Sequence, residues 1–200
     1  MLALDLGDPY TFLRSAITPP EDVAVTNALL FLESLSAVVV NNFDTTRNIA
    51  GKDITVDLES EITPLGYHLA ALPINPRIGK LILYGVQLQC IDPILTIASA
   101  VSIKSVFVSP FGDKENADEA KLRFLEGNSD LLTFANAVST WKAQYGPGGA
   151  SRKKLGAGFD SAPSENEYCR SNYLNLNSLK MIDQMRAQFL SLLKDIGFMP

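Results

Sequence analysis

The last fifth of the chain restricts its fold more than any other stretch. Leu179, Ile182, Met185, Phe189, Leu192, Leu193 and Ile196 recur at three- and four-residue spacing, with Lys180, Asp183, Arg186 and Lys194 off that stripe. The spacing predicts a long amphipathic helix over 176–196, and one apolar face of that length needs other elements to cover it. The cover is helical too. Upstream windows read as helices near 64–72, 76–88, 92–102, 114–126, 129–145 and 165–174. They are separated by Pro73-Ile74-Asn75-Pro76, Asp92-Pro93, Ser109-Pro110-Phe111-Gly112 and Gly127-Asn128.

The first third is different. Asp8 and Pro9 open a short helix to Ala16, and Thr18-Pro19-Pro20 breaks it. Val25, Ala28, Leu29, Leu32 and Leu35 then share one face of a helix over 21–36. Val38-Val39-Val40 is a β-branched run, and Ile54 to Leu58 alternates with period two, as a short hairpin would. Thr63 and Pro64 are a cap and a first helical residue. Helix, two strands and capped helix suit a small winged-helix unit. The fold class is therefore mainly α: a winged-helix unit with a short β-hairpin, followed by a helical bundle.

With 200 residues, 46% apolar and 20% charged, the chain is long enough to bury a core without a metal or disulfide. Cys90 and Cys169 show no C-x-x-C spacing and read as buried free thiols of a reducing compartment. The opening residues lack a signal peptide's basic start, and no apolar stretch is long enough for a bilayer span. A soluble cytoplasmic protein is expected, with the nucleus as the alternative, and no membrane partner.

Charge argues against free-standing nucleic-acid binding. The net charge is −5, and residues 1–100 hold 5 Lys and Arg against 11 Asp and Glu. Phosphate binding rests on cations displacing counterions, so any such role needs a local positive surface or another domain. Helix 64–72 has no arginine or lysine, which disfavours a DNA-reading winged helix. Arg152-Lys153-Lys154, in a glycine-rich loop near 146–164 expected to be flexible, could meet phosphates or simply be solvated.

No catalytic constellation emerges. The one histidine, His68, has no nucleophile or carboxylate beside it at helical spacing. Gly79-Lys80 lacks the glycine-rich approach and following Ser or Thr of a phosphate loop. No metal motif is present, so this segment needs no cofactor and no ATPase activity is expected of it. The distinctive polar stretch is Tyr168 to Leu179, with Arg170, Asn172, Asn175, Asn177 and Ser178. Such residues can bond phosphate or ribose and stack on bases; the asparagines could equally cap a break between two helices.

Several segments in fixed order carry a resemblance. Thr63-Pro64-Leu65-Gly66-Tyr67-His68 and Pro76-Arg77-Ile78-Gly79-Lys80 come first, then Cys90-Ile91-Asp92-Pro93 with Leu95-Thr96-Ile97-Ala98. Lys104-Ser105, Phe107, Ser109-Pro110, Ala117-Asp118, Lys121, Ser129-Asp130, Asn136 and Trp141 follow. Tyr168-Cys169-Arg170-Ser171-Asn172-Tyr173-Leu174 and Ile196-Gly197-Phe198 complete the series. Over roughly residues 1–198 the chain resembles the helicase-associated region of DEAH/RHA-type RNA helicases, above all their larger cytoplasmic branch. Leu131, Val138 and Asn177 depart from residues frequent in that family, and the insertions at 41–61 and 146–164 are long.

The resemblance implies a segment of a larger ATP-dependent RNA helicase, starting after the second RecA-like domain and stopping before the OB-fold. Residues 1–20 would be the lead-in, 21–75 the winged helix and 76–198 the ratchet bundle. ATP and Mg would sit in the RecA-like domains. Partners would be single-stranded RNA and the RecA-like and OB-fold domains of the same protein, in a monomer. Arg170, Asn172, Asn175 and Ser178 would contact RNA, with Lys104 and Arg77 as further contacts. The competing expectation is a non-enzymatic helical protein-interaction module.

Overall fold

The computed structural model describes residues 1–40, 60–103, 105–146 and 163–199. The chain divides into two compact units, Met1–Leu83 and Tyr84–Pro200.

In the first unit a 3-10 turn at Leu2–Leu4 precedes α1, Pro9–Arg14. Asp8 caps α1 by accepting from the Thr11 amide at 2.8 Å. Helix α2, Asp22–Ser34, lies against α1 through Tyr10, Val25 and Leu29, and the Tyr10 hydroxyl meets Thr26 Oγ1 at 2.7 Å. Helix α2 stops short of the expected Ser36, which sits at φ 59. Strand β1, Val38–Val40, pairs antiparallel with β2, Ser60–Ile62, in the register Val38 to Ile62. The strand expected at 54–58 falls outside the described residues.

Helix α3, Pro64–Ala71, starts at a tightly bonded corner. The Thr63 amide donates to the Ala37 carbonyl at 3.0 Å, its hydroxyl to Ser36 O at 2.7 Å, and the Gly66 amide to Thr63 Oγ1 at 3.0 Å. Helix α4, Pro76–Gln87, spans the division between the units. In its first turns Lys80 Nζ donates to Leu35 O at 2.7 Å and the Arg77 guanidinium lies 5.0 Å from the Phe31 ring centre.

The second unit contains α5 (Ile91–Ser102), α6 (Lys114–Leu122), α7 (Asp130–Tyr145), α8 (Glu165–Ser171) and α9 (Leu176–Asp195). Helix α5 packs on both α7 and α9. Ala98 of α5 and Ala137 of α7 have no exposed surface, and Leu179, Ile182 and Leu193 of α9 are equally enclosed. Trp141, Tyr168, Cys169 and Leu174 join that core. The mainly α architecture with a two-stranded antiparallel sheet is the fold class expected from the sequence.

Two expectations need correction. The sequence puts Arg186 off the α9 stripe and Met185 on it, whereas Arg186 is 9% exposed and Met185 only half-buried. Arg186 enters because its donors find acceptors on α5: Nη1 reaches Asp92 O at 3.1 Å and Thr96 Oγ1, and Nη2 reaches Asp92 Oδ1 at 2.5 Å. Helix α8 ends at Ser171 instead of 174, because Tyr173 takes φ 52.

Both cysteines are free, Cys169 buried and Cys90 half-buried. Burial, with the Glu165 carboxylate adding to it, pushes the Cys169 thiol up to about 11. At pH 8 that leaves about a thousandth of Cys169 as thiolate, the reactive form. Iodoacetamide is therefore expected to modify Cys90 while Cys169 resists until denaturant is added, as peptide mass spectrometry would record. Equal labelling in the native protein would contradict the burial of α8.

A candidate nucleic-acid interface at the α8–α9 turn

The polar stretch singled out in the sequence is a rigid corner. Helix α8 opens on a capping box: Ser164 Oγ accepts from the Glu167 amide while Glu167 Oε2 accepts from the Ser164 amide at 2.8 Å. These bonds, amide first and hydroxyl second, hold the Glu167 carboxyl below its ordinary range. At the other end Leu174 N donates to Cys169 O at 2.8 Å, closing the helix over the left-handed Tyr173. The turn is then stitched to the segment after α5. Val108 N donates to Tyr173 O and Asn175 N to Val106 O, both at 2.8 Å.

The Tyr173 hydroxyl donates to the Asp113 carboxylate. That bond, with a second from Asn116, holds the Asp113 carboxyl below its ordinary 3.8, and the same contact raises Tyr173 above its ordinary 10.0. A depressed carboxyl stabilises the fold above its unfolded value and loses that contribution as pH falls through the folded value. A raised phenol stabilises the fold below its unfolded value and loses the contribution as pH rises through the folded one. The urea midpoint of the native chain is therefore expected to exceed that of Asp113→Asn by a constant margin between about pH 5 and 9. The margin should shrink below pH 4. A margin unchanged at pH 3 would show that the Asp113 charge is not the stabilising acceptor.

The expected contact residues are placed as follows. Arg170 lies exposed in the last turn of α8 and makes no ion pair among the described residues. Asn172 is half-buried, and its Nδ2 donates to Tyr168 O at 2.9 Å, so it caps α8. Asn175 is also half-buried and caps α9, its Oδ1 accepting from the Ser178 amide at 3.1 Å. Ser178 is 6% exposed. The fold thus gathers these four into one turn and leaves the arginine outermost. Arg77 belongs to the first unit, stacked on Phe31; Lys104 lies outside the described residues.

Two further cations, Lys180 and Lys142, were not among the expected contacts. Lys180 Nζ lies 3.4 Å from Glu165 Oε2, whose Oε1 accepts from Trp141 Nε1 at 3.1 Å, and Lys142 pairs with Asp183 at 2.7 Å. Only the i+3 relation of Lys180 to Asn177 placed it near the turn. Among the described residues no three His, Cys, Asp or Glu gather as a metal set, and no helix is long and apolar enough to cross a membrane. His68 is exposed on α3.

Comparison with known proteins fits this architecture. Residues 75–134, from α4 through α6 into α7, match the family model described as helicase associated domain (HA2), ratchet-like. Residues 75–134 are a ratchet-like helicase-associated domain. Similarity continues beyond it on both sides. The chain is 34% identical to human "ATP-dependent RNA helicase DHX29" over 198 residues, 99% of this chain and 12% of that protein. It is 36% identical to rat "ATP-dependent DNA/RNA helicase DHX36" over 196 residues, 98% of the chain and 16% of the relative. Mouse "Putative ATP-dependent RNA helicase DHX57" is 43% identical over 140 residues, 70% of the chain and 9% of the relative. The chain spans about an eighth of the human relative's length.

The contacts in the fold explain what several motif residues do. Thr63 and Gly66 build the β1–α3 corner, Lys80 binds the end of α2, and Lys121 joins α6 to α7 through Asp130 at 2.8 Å. Of the departures from the family's frequent residues, Val138 is buried in the core at 1% exposure, while Leu131 and Asn177 are exposed.

Proposed function

We propose that the chain is a C-terminal accessory region of an ATP-dependent RNA helicase, forming part of a single-stranded RNA channel and coupling ATPase state to strand movement. Residues 1–20 act as lead-in, 21–75 as winged helix and 76–198 as ratchet bundle. ATP and Mg belong to RecA-like domains elsewhere in the same protein, which with an OB-fold are the region's partners in a monomer. The observation that carries this reading is the collinear similarity across nearly the whole chain to one region of DHX29 and DHX36.

Arg170 is the leading RNA contact: an exposed guanidinium with no ion pair among the described residues, held on a helix end braced by the α8–α9 turn. After capping, Asn172 leaves its Oδ1, which can accept from a ribose hydroxyl, and Asn175 its Nδ2, which can donate to a ribose or phosphate oxygen. Ser178 acts through the cap of α9. Arg77 and Lys104 are secondary contacts.

The isolated chain should hydrolyse no ATP and should bind a U-rich single strand weakly and with strong salt dependence, since its charge is −5. In the longer parent protein, Arg170→Ala is expected to weaken RNA-stimulated hydrolysis about tenfold, the scale of one charged hydrogen bond. It should also reduce the slope of log affinity against log salt by about 0.7. Filter binding at several salt concentrations and a coupled ATPase assay measure both. Unchanged stimulation and slope, alongside a native melting curve, would remove Arg170 from the interface.

A further inference from the structure

The left-handed residue that closes α8 is a tyrosine, and its side chain leaves the turn. Such a position favours glycine or asparagine, because a Cβ at positive φ crowds the backbone. Tyr173 nevertheless holds φ 52 there. Its amide donates to the Arg170 carbonyl at 3.3 Å, and its carbonyl accepts from Val108 N at 2.8 Å. Asn172 before it and Asn175 after it bond within α8 and α9. The Tyr173 hydroxyl instead reaches the Asp113 carboxylate at the start of α6.

Asp113 is a firm anchor. It is the N-cap residue of α6, its Oδ1 accepts from Asn116 Nδ2 at 2.6 Å, and Lys121 ties α6 to α7 through Asp130 at 2.8 Å. For the fold the hydroxyl bond matters little. Leu174 is 5% exposed, its amide bonds Cys169 O at 2.8 Å, and Asn175 N bonds Val106 O at 2.8 Å, so the turn stays formed without it. For Arg170 it matters more. The bond favours the left-handed state of Tyr173, and in that state the Tyr173 amide holds the Arg170 carbonyl. A Tyr173 that leaves this conformation releases the last turn of α8, with the exposed Arg170 on it.

We propose that Tyr173 and Asp113 are positioning residues, which hold Arg170 at the angle from which its guanidinium meets an RNA phosphate. This rests on the reading of Arg170 as an RNA contact. Neither member of the pair touches RNA itself. A guanidinium correctly placed for only a fraction of the time binds with an affinity reduced by that fraction.

The test uses the longer parent protein and a fluorescein-labelled U-rich single strand, followed by anisotropy at several salt concentrations. Tyr173→Phe keeps the ring and removes one hydroxyl. It is expected to weaken RNA binding about fivefold, inside the about tenfold loss of Arg170→Ala. It should also lower the slope of log affinity against log salt by up to about 0.7, although it removes no charge. A bond that served only the fold could lower the melting temperature but would leave that slope alone. Asp113→Ala cuts the same bond from α6 and should reproduce both losses. Asp113→Asn keeps an acceptor for the hydroxyl and should stay within about twofold of the native affinity. On an Arg170→Ala background, Tyr173→Phe should cost nothing further, because the two act as one unit.

Native affinity and slope in Tyr173→Phe and Asp113→Ala, with Arg170→Ala weakened, overturn the positioning role and leave Arg170 as a contact. A further loss on the Arg170→Ala background overturns it as well, since Tyr173 then acts elsewhere. Native affinity in Arg170→Ala removes the contact, and the positioning role with it.

Discussion

Replacing Gly66 with alanine is expected to cost more than about 3 kcal/mol, enough to unfold the first unit at moderate denaturant. A Cβ at this position would lie 2.0 Å from the Ala37 carbonyl oxygen and 2.8 Å from Ile62 Cγ1. Overpacking against side chains usually costs about 1–3 kcal/mol, because the neighbours can rotate away. Here the nearest neighbour is backbone. The Ala37 carbonyl is held by the Thr63 amide at 3.0 Å and the Thr63 hydroxyl at 3.1 Å, and Val38 after it begins the β1–β2 ladder. Moving it breaks the corner that starts α3. Gly112→Ala is the contrast: that residue has φ 87 but open space around its Cα. It should pay only the left-handed backbone penalty of about 1–2 kcal/mol. Urea titration followed by circular dichroism orders the two variants, and a native midpoint for Gly66→Ala would mean that α3 can lift from β1 freely.

The same corner shows what the sequence makes legible. Thr63-Pro64 is read directly, because a capping hydroxyl followed by a proline that needs no N–H is a local signal. The role of Gly66 is not, since it depends on a carbonyl 29 residues upstream. Helix periods were legible for the same local reason: α5 and α7 lie within a residue or two of their expected limits. Strand pairing shows the converse. Ser60-Glu61-Ile62 pairs with Val38–Val40, and pairing partners are fixed by non-local register. At the candidate interface the residue types were visible, whereas their division of labour was not. Asn172 and Asn175 spend bonds on the turn because Tyr173 turns left-handed there and Asp113, 60 residues away, receives its hydroxyl.

Arg186 gives the second large effect. Arg186→Ala is expected to lower stability by about 3 kcal/mol, within the range for removing a long buried side chain, and to lower the melting temperature by about 10 °C. The two ends of its contact with Asp92 are unequal. The arginine side chain is 10% exposed and the aspartate 76%, so water screens the carboxylate and limits what the charge pair itself contributes. Two other features carry more weight. The stem of Arg186 fills α9 between Ile182 and Phe189, both buried, and its Nη1 bonds the Asp92 carbonyl and Thr96 hydroxyl of α5. Thr96 keeps an acceptor without the arginine, because its hydroxyl donates to Asp92 O at 3.1 Å. Arg186→Met should therefore stay within about 1 kcal/mol of the native chain, since an unbranched apolar stem can replace a buried ion pair at little cost. Thermal melts of both variants, with Asp92→Asn as a third, separate the contributions. A methionine variant as unstable as the alanine variant would place the stabilisation in the guanidinium. A native-like alanine variant would mean that the leucine and isoleucine stripe alone holds α9 against α5.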